Sequence, residues 1–253
     1  MNKVLLLMGM IVLLSAPGAA LAEEESPKLG VTVDSTFVTK YMWRGYSILG
    51  SHAAWQPSVD LDLFDTGFSF NVWYSKAMSK GLSDFDEIDY TLAYGTTLFD
   101  GKSFAIDAGA NYIYYDFPNL KNIADTEEVG LSLAMPSLLP LGSSYLVPSY
   151  YVGRLYPAKE GGPKGGLFHV LGLSYDLPIG GDRALNLCAD VTYNTGAFDA
   201  PPGWSHATFG VSTDIETKLG LTVTPSLNYQ ATFEDAVHDS DEVWAGMSVS
   251  YSF

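Results

Sequence analysis

From Leu29 to Phe253 apolar and polar residues alternate with a period of two, in segments of about ten residues. The first segment sets Val31, Val33, Phe37, Tyr41 and Trp43 on one face and Thr32, Asp34, Thr36, Lys40 and Arg44 on the other. Trp55, Val59, Leu61 and Leu63 then oppose Gln56, Ser58, Asp60 and Asp62. Asp65-Thr66-Gly67 turns the chain, and Phe68, Phe70, Val72 and Tyr74 oppose Ser69, Asn71, Trp73 and Ser75. The rhythm continues with Asp89 and Thr91, with Asp107, Gly109 and Asn111, and with Glu128, Gly130 and Ser132 on polar faces. Segments around Leu146–Val152 and Leu167–Leu177 come next, then polar faces carrying Cys188 and Asp190, His206 and Asp214, and Thr222 and Asn228. Val243 to Phe253, opposed by Glu242, Trp244 and Ser248, brings the number of segments to twelve.

The links between segments also alternate. Those at Asp65–Gly67, Asp100–Lys102, Pro178–Asp182 and Thr217–Gly220 are short, and those at Ser47–Ala53, Lys76–Asp84, Phe117–Ala124, Pro157–Gly165, Asn194–Ser205 and Thr232–Asp241 are longer. A longer hydrophobic turn at Pro136–Ser143 is the exception. Half of each segment is small and polar, which suits a wet interior, while the other half is lipid-like. A soluble sandwich also alternates but does not need both. The pattern therefore predicts an all-β, transmembrane, up-and-down antiparallel β-barrel of about twelve strands. Pro57, Pro148 and Pro225 fall inside strands, where they remove ladder donors, so bulges or frayed pairing are expected there.

The first residues point to export. Lys3, the apolar run Val4–Ala16 and the small-x-small pattern Ala20-Leu21-Ala22 form a signal peptide at 1–22, cleaved after Ala22. The run is shorter than the ~20 residues of a spanning helix. Residues 23–253 are then one barrel domain in the bacterial outer membrane. Composition agrees: 16 Tyr, 13 Phe and 5 Trp accompany only 17% charged residues, against about 25% in ordinary domains. Aromatics of this kind rim a lipid-facing apolar band. The net charge is −16, and −17 once Lys3 is removed, which disfavours nucleic acid as a partner. Cys188 is the single cysteine, so no intramolecular disulfide forms.

The last strand ends in alternating Val249, Tyr251 and Phe253, which look like the C-terminal signal read by the barrel-assembly machinery through strand addition. The segment Phe37-Val38-Thr39-Lys40-Tyr41-Met42-Trp43-Arg44-Gly45-Tyr46-Ser47 resembles the opening strand of the TorF-like family of outer-membrane porins. Gln56-Pro57-Ser58, Gly67-Phe68-Ser69-Phe70-Asn71-Val72-Trp73 and Asp86-Glu87-Ile88-Asp89 are similar to the next strands of that family. The resemblance implies a porin-like barrel and covers about the first third of the mature chain.

Alternation turns Asp34, Asp60, Asp62, Asp89, Asp107, Glu128, Asp190, Asp214 and Glu242 inward, with Asn111 among them and only Lys40 and Arg44 opposing. Rings of carboxylates favour cations, and a low-dielectric wall focuses their field. The expectation is a channel for passive diffusion of small hydrophilic solutes, cation-preferring, with outer-membrane lipid around it. The alternative is a plugged structural or surface-interaction barrel. Arg44 is expected near the outer end of the first strand, as a constriction facing Asp89 or Asp190 or as a structural ion pair at the seam. A lipid hydrolase would need a Ser–His pair with a third orienting group. His169 faces outward, His206 inward, and His52 and His238 lie in links, with no such spacing, so no enzyme is expected. No tight metal-ligand spacing and no cofactor motif occurs; Asp235, Asp239 and Asp241 read as a solvated acidic loop rather than a Ca²⁺ site.

Overall fold

The computed structural model describes residues 28–120, 124–181 and 183–253; the signal-peptide reading at 1–22 lies outside them. Twelve strands form the wall: β1 (Gly30–Val38), β2 (Ala54–Asp62), β3 (Phe68–Ala77), β4 (Glu87–Leu98), β5 (Ile106–Asp116), β6 (Thr126–Ala134), β7 (Ser144–Pro157), β8 (Gly166–Gly180), β9 (Arg183–Asn194), β10 (Gly203–Ser212), β11 (Thr222–Thr232) and β12 (Glu242–Ser252). Each pairs antiparallel with its neighbours in sequence, and β1 closes the ring against β12, with Thr32 opposite Ser252 and Val38 opposite Gly246. Closure extends to the terminus, where Val31 and Phe253 exchange backbone hydrogen bonds of 3.1 and 3.0 Å. A closed ladder leaves no strand edge unsatisfied, which a lipid environment requires.

The two faces follow the alternation. Leu131, Leu227 and Met247 point outward, 57%, 52% and 53% exposed, as an apolar band for lipid. Glu128, Thr224, Asn228 and Gln230 point inward and are buried. Inward glycines make room for their neighbours: a Cβ on Gly130 would collide with the Tyr151 hydroxyl and the Asn111 amide, and one on Gly153 with Glu128. The start of β1, the carboxy-terminal Phe253 and the short connections share one end, here the proximal end. The distal end carries residues 39–53, 78–86, 117–120, 124–125, 158–165, 195–202 and 233–241.

The prolines interrupt pairing without shifting register. Gln56 and Pro57 drop out of the β2–β3 ladder, which resumes in the same register at Ser58–Trp73. Pro148 and Pro225 sit where the ladders to β6 and β10 end, at Ser149–Ala134 and Ser226–Ser212. The register shifts lie elsewhere, between Thr192 and Tyr193 opposite β10 and between Pro178 and Gly180.

Two expectations need correction. β1 ends at Val38, so Lys40, Tyr41, Trp43 and Arg44 do not extend it, and Tyr41 and Trp43 turn into the barrel instead of facing lipid. The physical reason is Val38 itself: it falls on the inward phase, is fully buried, and packs with Tyr41, Leu49 and Ala54. Strand β10 likewise ends at Ser212; Ile215–Glu216 pairs back onto Thr222–Val223, which leaves Asp214 in the proximal connection rather than on the wall.

Candidate functional site

Residues 39–53 fold back into the distal half of the lumen as a small hairpin. Met42–Trp43 pairs with Tyr46–Ser47 and with no strand of the wall, and the Ile48 N–H donates to the Tyr41 carbonyl at 3.0 Å. Arg44 (φ 49°) and Gly45 (φ 89°) form the tip in left-handed conformation, the geometry of tight two-residue hairpin turns. Glycine is required at the second position on two counts, since a Cβ there would also strike His206 and Val237.

Side chains from most of the wall strands hold the hairpin. Tyr41 donates its hydroxyl to Glu87 on β4 at 2.8 Å, and Gln230 on β11 donates to the Gly45 carbonyl at 2.9 Å. Tyr46 accepts from Asn194 on β9 at 3.4 Å and donates to the Ala197 carbonyl at 3.3 Å. Trp43 meets Tyr115, Phe168 and Phe198 edge-on at centroid distances of 5.6, 5.9 and 5.8 Å. These rings join Ile113, Leu155 and Ala197 in a buried cluster, so the distal lumen is a packed core.

Arg44 is the charged centre of this core. It donates to Glu128 Oε1 at 2.7 Å, with side chains 5% and 0% exposed. Its guanidinium carbon lies 4.9 Å from the Tyr151 ring centre and 5.4 Å from that of Phe168. Glu128 also accepts the hydroxyls of Tyr115, at 3.3 Å, and of Tyr151. Such a pair is held by geometry and satisfied hydrogen bonds, because burying two charges costs several kcal/mol per ion.

The sequence-predicted positions thus fall into three groups. Arg44 and Glu128 pair in the distal core, where Asp89 is also buried, with Asn111 bonded to the Tyr151 hydroxyl at 3.4 Å just below and Asp190 within the field of Arg44. Lys40 and Glu242 pair at the distal rim, where His238 Nε2 lies 2.8 Å from Glu242. Asp34, Asp60 and Asp107 line the proximal half, bonded to neutral partners: Thr36 (2.6 Å) and Ser248, Asn71 (2.8 Å), and Thr97 (2.7 Å). Asp214 accepts from Thr224 at 2.7 Å in the proximal connection. Val249 pairs within the seam, and Tyr251 and Phe253 are exposed with rings 5.6 Å apart. Between the two halves, a cavity of about 10 Å³ lined by Asn111, Ser132 and Tyr151 has room for about one water.

Sequence reasoning missed Tyr41, Trp43, Tyr115, Tyr151 and Phe168 as lumen residues. A signal was present: Ile113, Tyr115, Leu155 and Phe168 put apolar or aromatic groups on the inward phase near the distal ends of β5, β7 and β8. At the distal surface, the Tyr229 hydroxyl (2.6 Å) and the Thr232 N–H (2.9 Å) donate to Asp241 and hold its carboxyl below the usual range. Among the described residues no group of three or more His, Cys, Asp or Glu is arranged to hold a metal ion.

Comparison with known proteins locates the fold. No protein-family model matches the chain, and no curated protein matches it. Among solved structures, the NanC porin superposes with a TM-score of 0.56 at 10% identity, over 87% of this chain and 98% of that one. The KdgM porin superposes with a TM-score of 0.52 at 9% identity, over 88% and 99% of the two chains. A KdgM porin in complex with disordered oligogalacturonate gives 0.54 at 10% identity, over 88% and 99%. The chain therefore has the fold of outer-membrane porin-like barrels.

Proposed function

We propose that this chain is an outer-membrane channel for small hydrophilic solutes that prefers cations, exported by a signal peptide cleaved after Ala22 and akin to the TorF-like porins. The barrel-assembly machinery reads its Val249–Tyr251–Phe253 end. The carrying observation is the charge balance of the inner wall. Arg44 and Lys40 are each engaged by a carboxylate, Glu128 and Glu242. Asp34, Asp60 and Asp107 bond to hydroxyls and an amide. The proximal wall therefore carries carboxyls with no cation among their described partners, and an acidic wall concentrates cations and repels anions. A polyanion such as the oligogalacturonate bound by the KdgM porin is the wrong charge for it.

A second reading, a plugged structural barrel, is favoured by the hairpin 39–53 filling the distal half. Planar-bilayer recording separates the two. Small stable steps from the wild-type chain, enlarged when Arg44 or Glu128 is neutralised, support a channel whose bore the hairpin limits. Silence from both forms supports the structural barrel. Hydrolysis finds little support: Ser205 Oγ lies 2.9 Å from His206 Nδ1, but both are buried, Ser205 also donates to the Thr192 carbonyl, and Gly45 packs over His206.

A further inference from the structure

We infer that the distal lumen is a binding site for a guanidinium-bearing organic cation, and that Arg44 occupies it as the chain's own stand-in for that ligand. The walls are built for such a group. Glu128 supplies a carboxylate already oriented by two tyrosine hydroxyls, and the Tyr151 and Phe168 rings lie 4.9 and 5.4 Å from the guanidinium carbon. Aromatic faces beside a carboxylate are the chemistry that recognises delocalised cations in a desolvated pocket.

The site is also over-supplied with carboxyl groups. Glu87, Asp89 and Glu128 are 3%, 1% and 0% exposed, yet Arg44 is the one cation the described contacts bring among them. Asp89 Oδ1 is buried with no hydrogen-bond partner of its own. A buried unpartnered carboxyl oxygen costs free energy, and a planar ligand with several N–H donors would satisfy it. Arg44 itself engages Glu128 through Nη2 at 2.7 Å.

The occupant, finally, is separable from the wall. The two short strands of the hairpin, Met42–Trp43 and Tyr46–Ser47, pair only with each other, and the tip carries a non-glycine residue at φ 49°. It can leave without breaking one barrel ladder. A free guanidinium solute that took over the contacts of Arg44 would release the tip and clear the distal lumen for its own passage. Binding stands by itself; passage rests on the reading of the barrel as a channel.

The test uses methylguanidinium at millimolar concentration on the refolded full barrel. In Arg44→Ala the vacated site is expected to bind it, with a saturable Tm rise of about 3–6 °C at tenfold excess over Kd. The rise is absent in Arg44→Ala/Glu128→Gln. In the wild-type chain, which needs no variant to fold, methylguanidinium is expected to speed amide exchange across residues 39–53, whereas equal sodium does not. Equal Tm shifts in the single and double variants, or unchanged exchange in the wild type, overturn the site. Conductance is read separately: binding without current retains the site and removes the channel, and current without binding removes the site alone.

Discussion

Glu128→Gln keeps the volume of the side chain but removes the charge that Arg44 faces. The wild-type carboxylate accepts from Arg44, Tyr115 and Tyr151, all within a core where it is fully buried. An amide oxygen still accepts from one or two of these groups, but the guanidinium is left without a counter-charge. Breaking a buried pair from one side costs about 3–5 kcal/mol. Hairpin withdrawal relieves that cost, since Arg44 then reaches water. Withdrawal is opposed by the burial of Trp43 against three rings, worth about 3–5 kcal/mol on its own, so the seated hairpin remains the major state. The withdrawn fraction nonetheless rises on the order of 10²–10³-fold, at tenfold per 1.4 kcal/mol. Trypsin reads it directly, because cleavage after Lys40 and Arg44 needs side chains that are only 15% and 5% exposed in the seated hairpin. With reclosing faster than cleavage, the rate tracks the open population. Replacing both partners, Arg44→Met with Glu128→Leu, removes the unpaired charge and returns cleavage after Lys40 toward the wild-type rate. A Glu128→Gln chain cleaved within about twofold of wild type refutes the latch.

The faces and rims of the barrel give three further outcomes. Leu131→Arg places a charge on the lipid-facing band, where the residue is 57% exposed, and costs about 2–4 kcal/mol in vesicle unfolding experiments; a neutral result means the face is not lipid-exposed. Cys188 lies on the inward face opposite Gly210, so a cationic methanethiosulfonate reacts faster with it than an anionic one of similar size, and equal rates contradict the acidic lumen. Asp241 has a folded pKa below its unfolded value of about 3.9, so its contribution is complete above that value and fades as pH falls through the folded pKa. Amide-exchange protection of Thr232 should therefore drop in acid and drop at neutral pH in Asp241→Ala; protection independent of both is the contrary result.

The wall of the barrel was legible because closure, an apolar outer face and a polar inner face all act with the same period of two. Apart from Asp214 and Ile215 beyond the end of β10, the strands from β2 onward keep the facing their residues predict, including Trp73 inward and His169 outward beside Tyr150. The hairpin was illegible for a physical reason. Tyr41 and Trp43 continue the odd-numbered phase of Val33 and Phe37, so the periodicity runs on through the end of the strand. The turn that breaks it is Arg44-Gly45, and arginine in left-handed conformation lacks the Asn-Gly or Asp-Gly signature of such turns. Val38 was the available clue, an apolar residue on the polar phase that only a filled lumen buries. Arg44 was identified as a candidate from its charge, but its partner, Glu128, lies 84 residues away, and only the topology brings them together.

The most direct test of cation preference is the reversal potential of the wild-type chain in a planar bilayer under a tenfold KCl gradient. The acidic wall predicts a potential of the sign that marks K⁺ as the faster ion, moving toward zero in Asp34→Asn/Asp60→Asn/Asp107→Asn. A potential of the opposite sign, or one that the triple variant leaves in place, contradicts it.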